Sequence, residues 1–186
     1  MCPNPICHTA VFRTFQPESN QTHFQNPRFM PSSKADELLS GENIQTTLRG
    51  IFGDCPPKPY NELVRYVKEE ASKAFLTLVT IEKAKRIEGF YKDGFTDIDL
   101  PVLGTDTDWS HIRTLNGPRK HGDWECFNQL REARRREFIS QQWTFLVPSF
   151  CKNQFAYTFR AEQPLPFVLE ARGSEGTFGL VCSVLI

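Results

Sequence analysis

The chain has 186 residues, a length that suits one compact domain with tails. Hydrophobic residues make up 39% of it, 16 of them phenylalanine, which is enough for a real core. Lys+Arg and Asp+Glu balance at 22 each, so no global field recruits nucleic acid or an acidic membrane. No apolar run reaches the roughly 18 residues of a membrane span. The N-terminal MCPNPICHTAVFRTFQ lacks the basic start and apolar stretch of a secretory signal. Six cysteines, at 2, 7, 55, 126, 151 and 182, are scattered, which predicts reduced thiols in an intracellular protein, cytoplasmic or nuclear.

Residues 1–31 are rich in Pro, Asn, Gln, Ser and Thr and show no periodicity, so they read as a poorly ordered arm. Cys2, Cys7 and His8 match no common zinc spacing, and no second ligand pair follows them. From residue 32 to 150 the pattern becomes that of an irregular helical domain. Ser33-Lys34-Ala35-Asp36 is a helix-start pattern ahead of Leu38 and Leu39, and Ser40-Gly41 interrupts it. Ile44, Leu48, Ile51 and Phe52 recur at helical spacing, and Gly53 can end that helix. Cys55-Pro56-Pro57-Lys58-Pro59 is a stiff connector.

Residues 60–82 read as one long helix whose broad apolar face carries Leu63, Val64, Val67, Ala71, Ala74, Phe75, Leu78 and Val79. A shorter helix follows through Ile87, Phe90 and Tyr91, closed by Gly94. Residues 97–118 read as a solvated acidic loop: Asp97, Asp99, Asp106 and Asp108 lack the twelve-residue calcium-loop order, so no metal site is assigned. The last helix is expected to start at an Asp123 cap and to run to Gln141 or Gln142. Trp124, Phe127, Leu130, Phe138 and Ile139 supply its buried side. Its run Arg131-Glu132-Ala133-Arg134-Arg135-Arg136-Glu137 is either a phosphate or acidic-partner patch or a solvated face, and the interleaved glutamates favour the solvated face. Residues 143–150 read as extended and apolar, with Pro148 barring a long helix, and residues 151–164 as a linker.

Residues 165–186 read as a β-hairpin: apolar runs at 167–171 and 177–186 flank the turn Gly173-Ser174-Glu175-Gly176. Phe178, Leu180, Cys182, Val184 and Ile186 share one face of the second strand. The fold class is therefore mainly α with a short C-terminal β-hairpin. Its apolar end, free of charge and proline, is an aggregation hazard if left as an uncovered edge.

Glu175-Gly176-Thr177-Phe178-Gly179-Leu180-Val181 resembles the glycine-rich loop of protein kinases. Gly176, Phe178, Gly179 and Val181 match the second glycine, the aromatic tip, the third glycine and the adenine-covering valine. Ser174 stands where the first glycine would, with Gly173 one residue early. Together with Gln142-Trp143-Thr144-Phe145-Leu146-Val147-Pro148, Leu165-Pro166-Phe167 and Asp97-Ile98-Asp99-Leu100-Pro101, the loop makes residues 29–186 similar to fungal protein-kinase-domain-containing proteins. The resemblance implies that the hairpin corresponds to the first two strands of a kinase N-lobe. It also implies an ATP cover at Ser174, Gly176, Thr177, Phe178, Gly179 and Val181 in a full-length form.

Phosphoryl transfer also needs a strand lysine, a helix glutamate, a catalytic Asp and Asn, and a metal-binding Asp. Residues 153–186 contain no Lys, Asp or His, and no His-Arg-Asp or Asp-Phe-Gly occurs; Asp93-Gly94-Phe95 reads as a turn. The chain as given is thus expected to be inactive and truncated before the catalytic residues, with no cofactor of its own. The four histidines are too dispersed to read as a catalytic pair, and no nucleophile-elbow pattern exists. Two functional readings stand: a non-catalytic regulatory fragment of a serine/threonine kinase-like protein, or a free-standing helical interaction module with no nucleotide role. Protein partners are expected; a nucleic-acid adaptor is a distant third.

Overall fold

A computed structural model describes residues 29–30, 32–53, 59–105, 111–115, 124–148, 163–164, 169–176 and 179–185. The connector at 54–58, Asp106, Asp108, Asp123 and residues 1–28 lie outside the described residues. The protein is mainly helical, with seven α-helices and two two-stranded antiparallel sheets among the described residues. None of these helices is long and apolar enough to cross a membrane.

Helix α1 (Ser32–Leu38) starts one residue ahead of the expected pattern at Ser33, and α2 (Gly41–Phe52) forms where its capping residues place it. The Ser40 hydroxyl accepts from the Asn43 N–H at 3.4 Å, and Gly53 ends α2 at φ 64°, a conformation costly for any residue with a Cβ. Met30, placed in the N-terminal arm by composition, is only 4% exposed; it packs with Leu76 and Phe145 and donates its N–H to Thr144 O at 2.9 Å.

The expected long helix is two helices, α3 (Tyr60–Glu69) and α4 (Ser72–Thr80). The cause lies more than twenty residues downstream. Asp97 accepts from the Lys73 N–H at 2.9 Å (Oδ2) and from the Ala74 N–H at 3.0 Å (Oδ1), while its own N–H donates to Glu70 O at 2.8 Å. A carboxylate on the free N–H groups of a helix start is favourable, and it substitutes here for the hydrogen bonds of a continuous helix. The Tyr66 hydroxyl donates to Phe95 O and fixes the same segment from α3. Asp97 and Asp99 are therefore not solvated: Thr96 and Asp99 form a reciprocal capping box around a 3₁₀ turn, and Asp99 is 4% exposed.

Helix α5 (Ile87–Asp93) ends at Gly94 in the left-handed conformation, and the chain re-enters the core at Phe95. The stretch read as loop also holds a short ribbon, β1 (Val102–Gly104) paired with β2 (Ile112–Thr114) in the register Val102↔Thr114. Its anchor is Gln142, fully buried, whose Oε1 accepts from Val102 N–H at 2.8 Å and whose Nε2 donates to Val102 O at 2.7 Å. A side-chain amide thus acts as a third strand, which the spacing of apolar residues could not announce.

The expected final helix is also interrupted, into α6 (Glu125–Asn128) and α7 (Glu132–Gln141). Leu130 is buried between them, and Arg131 is extended (ψ 151°), its carbonyl accepting from Arg134 and Arg135 to start a new helix. Residues 143–145, read as extended, instead belong to a 3₁₀ turn, Gln142–Phe145, that continues α7 with Trp143 and Phe145 buried. Burial decides both departures, because packing overrides local propensity. The core is aromatic at its centre: Phe90, Phe95, Trp124, Phe127 and Phe138 meet with ring centroids 5.0–5.7 Å apart, mostly edge-to-face.

Gln142→Leu removes both partners of a buried peptide unit and should destabilise the protein by about 2 to 4 kcal/mol. Urea unfolding measures it; a loss under about 0.5 kcal/mol would show that the ribbon does not depend on this amide.

Candidate functional site

Two places concentrate features that could bind a ligand. The first is the C-terminal hairpin, β3 (Leu169–Gly176) and β4 (Gly179–Leu185), described by its backbone. Its register corrects the expected turn. Gly173, Ser174, Glu175 and Gly176 are strand residues, with Ser174↔Val181, Glu175↔Leu180 and Gly176↔Gly179 as partners. The connection is therefore the two residues between Gly176 and Gly179; Thr177 and Phe178 themselves lie outside the described residues. A register irregularity between Ala171 and Ser174 gives β3 one extra residue, so the small residues around Gly173 relieve a bulge instead of forming the reversal. Ser174, Gly176, Gly179 and Val181 are thus brought side by side, two on each strand.

The second place was not singled out by sequence. A cavity of about 360 Å³ is lined by Lys83, Arg86, Gln129, Leu130, Arg131 and Arg134. Its first wall arises from the way α4 stops. Glu82 takes a left-handed conformation (φ 57°), its N–H donates to Val79 O, and the Lys83 N–H reaches back to Leu78 O at 2.7 Å. This is a Schellman termination with glutamate where glycine is usual, within two residues of the helix end expected at 82. The turn sends Lys83 and the 3₁₀ segment Ala84–Arg86 across the end of α4.

The other wall is the α6–α7 junction. Arg134 reaches back so that its Nη1 donates to Ile81 O at 3.3 Å and to Glu137 Oε2 at 2.6 Å. It holds α7 against the negative end of α4, a favourable place for a cation. Gln129 Oε1 would lie 3.0 Å from a Cβ built on Gly89, so the glycine in α5 makes room for that amide at the rim. Within the charge run, Arg136 pairs outward with Glu132 at 2.6 Å, as a solvated face would, whereas Arg131 and Arg134 line the cavity.

Buried titratable groups elsewhere are structural. Burial pushes the Tyr66 hydroxyl and the Cys126 thiol well above their ordinary ranges, the latter helped by the neighbouring Asp93 carboxylate. Neither is available as a nucleophile or base near neutral pH. Burial also raises the Asp97 carboxyl, against the opposing pull of the Lys73 and Ala74 N–H groups. The hydrogen bond to Glu62, 2.8 Å long, raises the exposed Tyr91 hydroxyl. Among the described residues, no group of three or more His, Cys, Asp or Glu is arranged to hold a metal ion. His111 is the one histidine among the described residues; His8, His23 and His121 lie outside them. Comparison with protein-family models, curated proteins and solved structures finds no match to this chain.

Replacing Glu82 by glycine should stabilise the protein by about 0.5 to 1 kcal/mol, because the left-handed position no longer strains a Cβ. Thermal unfolding of Glu82→Gly and of the β-branched Glu82→Val should move in opposite directions. A loss of stability in Glu82→Gly would contradict this termination.

Proposed function

We propose that the chain is a non-catalytic regulatory and interaction part of a serine/threonine protein-kinase-like protein, with hairpin β3–β4 as the cover over a bound ATP. The observation that supports this reading is the pairing of Gly176 with Gly179, which leaves a two-residue tip between glycines. Glycines on both sides of a reversal let the backbone there approach phosphate oxygens closely. Val181, opposite Ser174, occupies the position that in the resemblance covers adenine.

The cover is only one part of a phosphoryl-transfer site. These 186 residues carry no His-Arg-Asp and no Asp-Phe-Gly, and no lysine follows the hairpin glycines. They do not transfer phosphate by themselves, and nucleotide binding belongs to a full-length form. The helical body serves as the surface for protein partners inside the cell, not for nucleic acid or membrane. The second reading is a free-standing interaction module in which the helical body, with its core cluster running from Ile44 to Ile139, acts without any nucleotide role for the hairpin.

The transcript beyond the codon for Ile186 separates the two. The kinase-like reading expects a frame carrying a Val-Ala-x-Lys strand and a His-Arg-Asp loop. It also expects the encoded longer chain to bind ATP at least about tenfold more weakly when Gly176 and Gly179 are both replaced by valine. A downstream sequence that does not encode these motifs, or ATP binding indifferent to both glycines, overturns the reading in favour of the free-standing module.

A further inference from the structure

We propose that the cavity between the Lys83–Arg86 turn and the start of α7 binds a small anion carrying two or more phosphate groups. The inference rests on residues of the helical body alone: among the described residues, the lining comes from 83–86 and 129–134.

Charge is the first argument. Four cationic side chains, Lys83, Arg86, Arg131 and Arg134, converge on one space, and only Arg134 is paired with a carboxylate among the described residues. In a chain whose charges cancel overall, this leaves a local excess of three positive charges on one concave surface. Like charges gathered without partners oppose one another, so the arrangement gains stability when an anion enters. Arginine forks match the oxygens of phosphate groups in paired hydrogen bonds, and a lysine adds a mobile point charge.

The walls add donors of the right kind. Arg131 and Arg134 stand at the start of the ten-residue helix α7, the positive end of its dipole, which favours an anion nearby. Gln129 brings an amide to the rim, and Leu130, 3% exposed, supplies an apolar part of the lining. A volume of about 360 Å³ suits a small molecule and not a helix or strand of a partner. Its concave shape, with cations around one centre, also differs from the extended stripe that follows a nucleic-acid backbone. The ligand class is therefore a compact polyphosphate, either inorganic or attached to a small organic group.

The site was hidden because its members come from two charge clusters about fifty residues apart in sequence, 83–86 and 129–134. They meet only because Glu82 turns the chain and Arg134 ties α7 to Ile81.

The test is a titration of the 186-residue protein with inorganic tripolyphosphate, followed by calorimetry and by amide shifts, at about 0.05 M salt where screening is weak. The expected result is saturable binding with a Kd below about 1 mM, with sulfate at least about tenfold weaker. Arg86→Gln combined with Arg131→Gln should weaken binding at least about tenfold; both side chains are exposed and without an ion-pair partner among the described residues, so circular dichroism should show an intact fold. Arg136→Gln, on the same helix but outside the cavity, should change it less than about twofold. Binding that fails to saturate, or equal losses in Arg136→Gln, would overturn the proposal. Tighter binding of single-stranded DNA with equal dependence on Arg136 would overturn it too, showing an extended polyanion surface instead.

Discussion

One carboxylate sets the course of the helical body. Asp97 sits against the junction of α3 and α4, accepts from two N–H groups at the start of α4, and returns its own N–H to Glu70. A helix continued through this junction would have satisfied those groups internally. Asp97 instead satisfies them from a distant segment and draws that segment into the protein. Phe95, two residues earlier, is thereby carried into the aromatic centre, and Leu100, three residues later, is buried near the ribbon. The contact therefore both divides a helix and closes the core around the division.

The second half of the architecture follows from how α4 ends. With its start fixed by Asp97, α4 directs its last carbonyls toward α7, where Arg134 meets Ile81 O. Glu82 accepts a left-handed backbone and sends the chain sideways through Lys83 and Arg86. The same geometry that terminates the helix thus assembles a basic concavity. Of its cations only Arg134 meets a carboxylate among the described residues, Glu137, whereas Glu132 pairs with Arg136 outside the cavity. The hairpin is a separate device. Its glycines pair across a two-residue connection, and the functional argument for it concerns backbone geometry alone.

Much of this was legible where the determinants are local. Ser40 and Gly53 mark α2, Gly94 marks the end of α5, and Ile44, Leu48, Phe90, Phe127 and Phe138 are buried as their periodicity requires. The departures share a cause, a polar side chain acting far from its own position. Asp97 breaks the helix read over 60–82, and Gln142 pins a ribbon forty residues earlier that alternation alone could not reveal. The end of α4, expected at 82, falls at Thr80, where a glutamate takes the left-handed position that glycine usually marks. In the hairpin, composition located the reversal at the densest small residues, whereas pairing places it after them, between Gly176 and Gly179. The basic cavity was illegible for the simplest reason, that no local pattern joins residues 83–86 to residues 129–134.

Amide hydrogen exchange at Lys73 and Ala74, compared between the wild-type protein and Asp97→Ala, tests the central claim most directly. If the Asp97 carboxylate is what holds the start of α4, both amides are protected in the wild type and lose that protection in the variant before the interior of the helix does. Protection retained at both positions in Asp97→Ala would mean that α3 and α4 run on as one helix, and the account of how this body is organised would be contradicted.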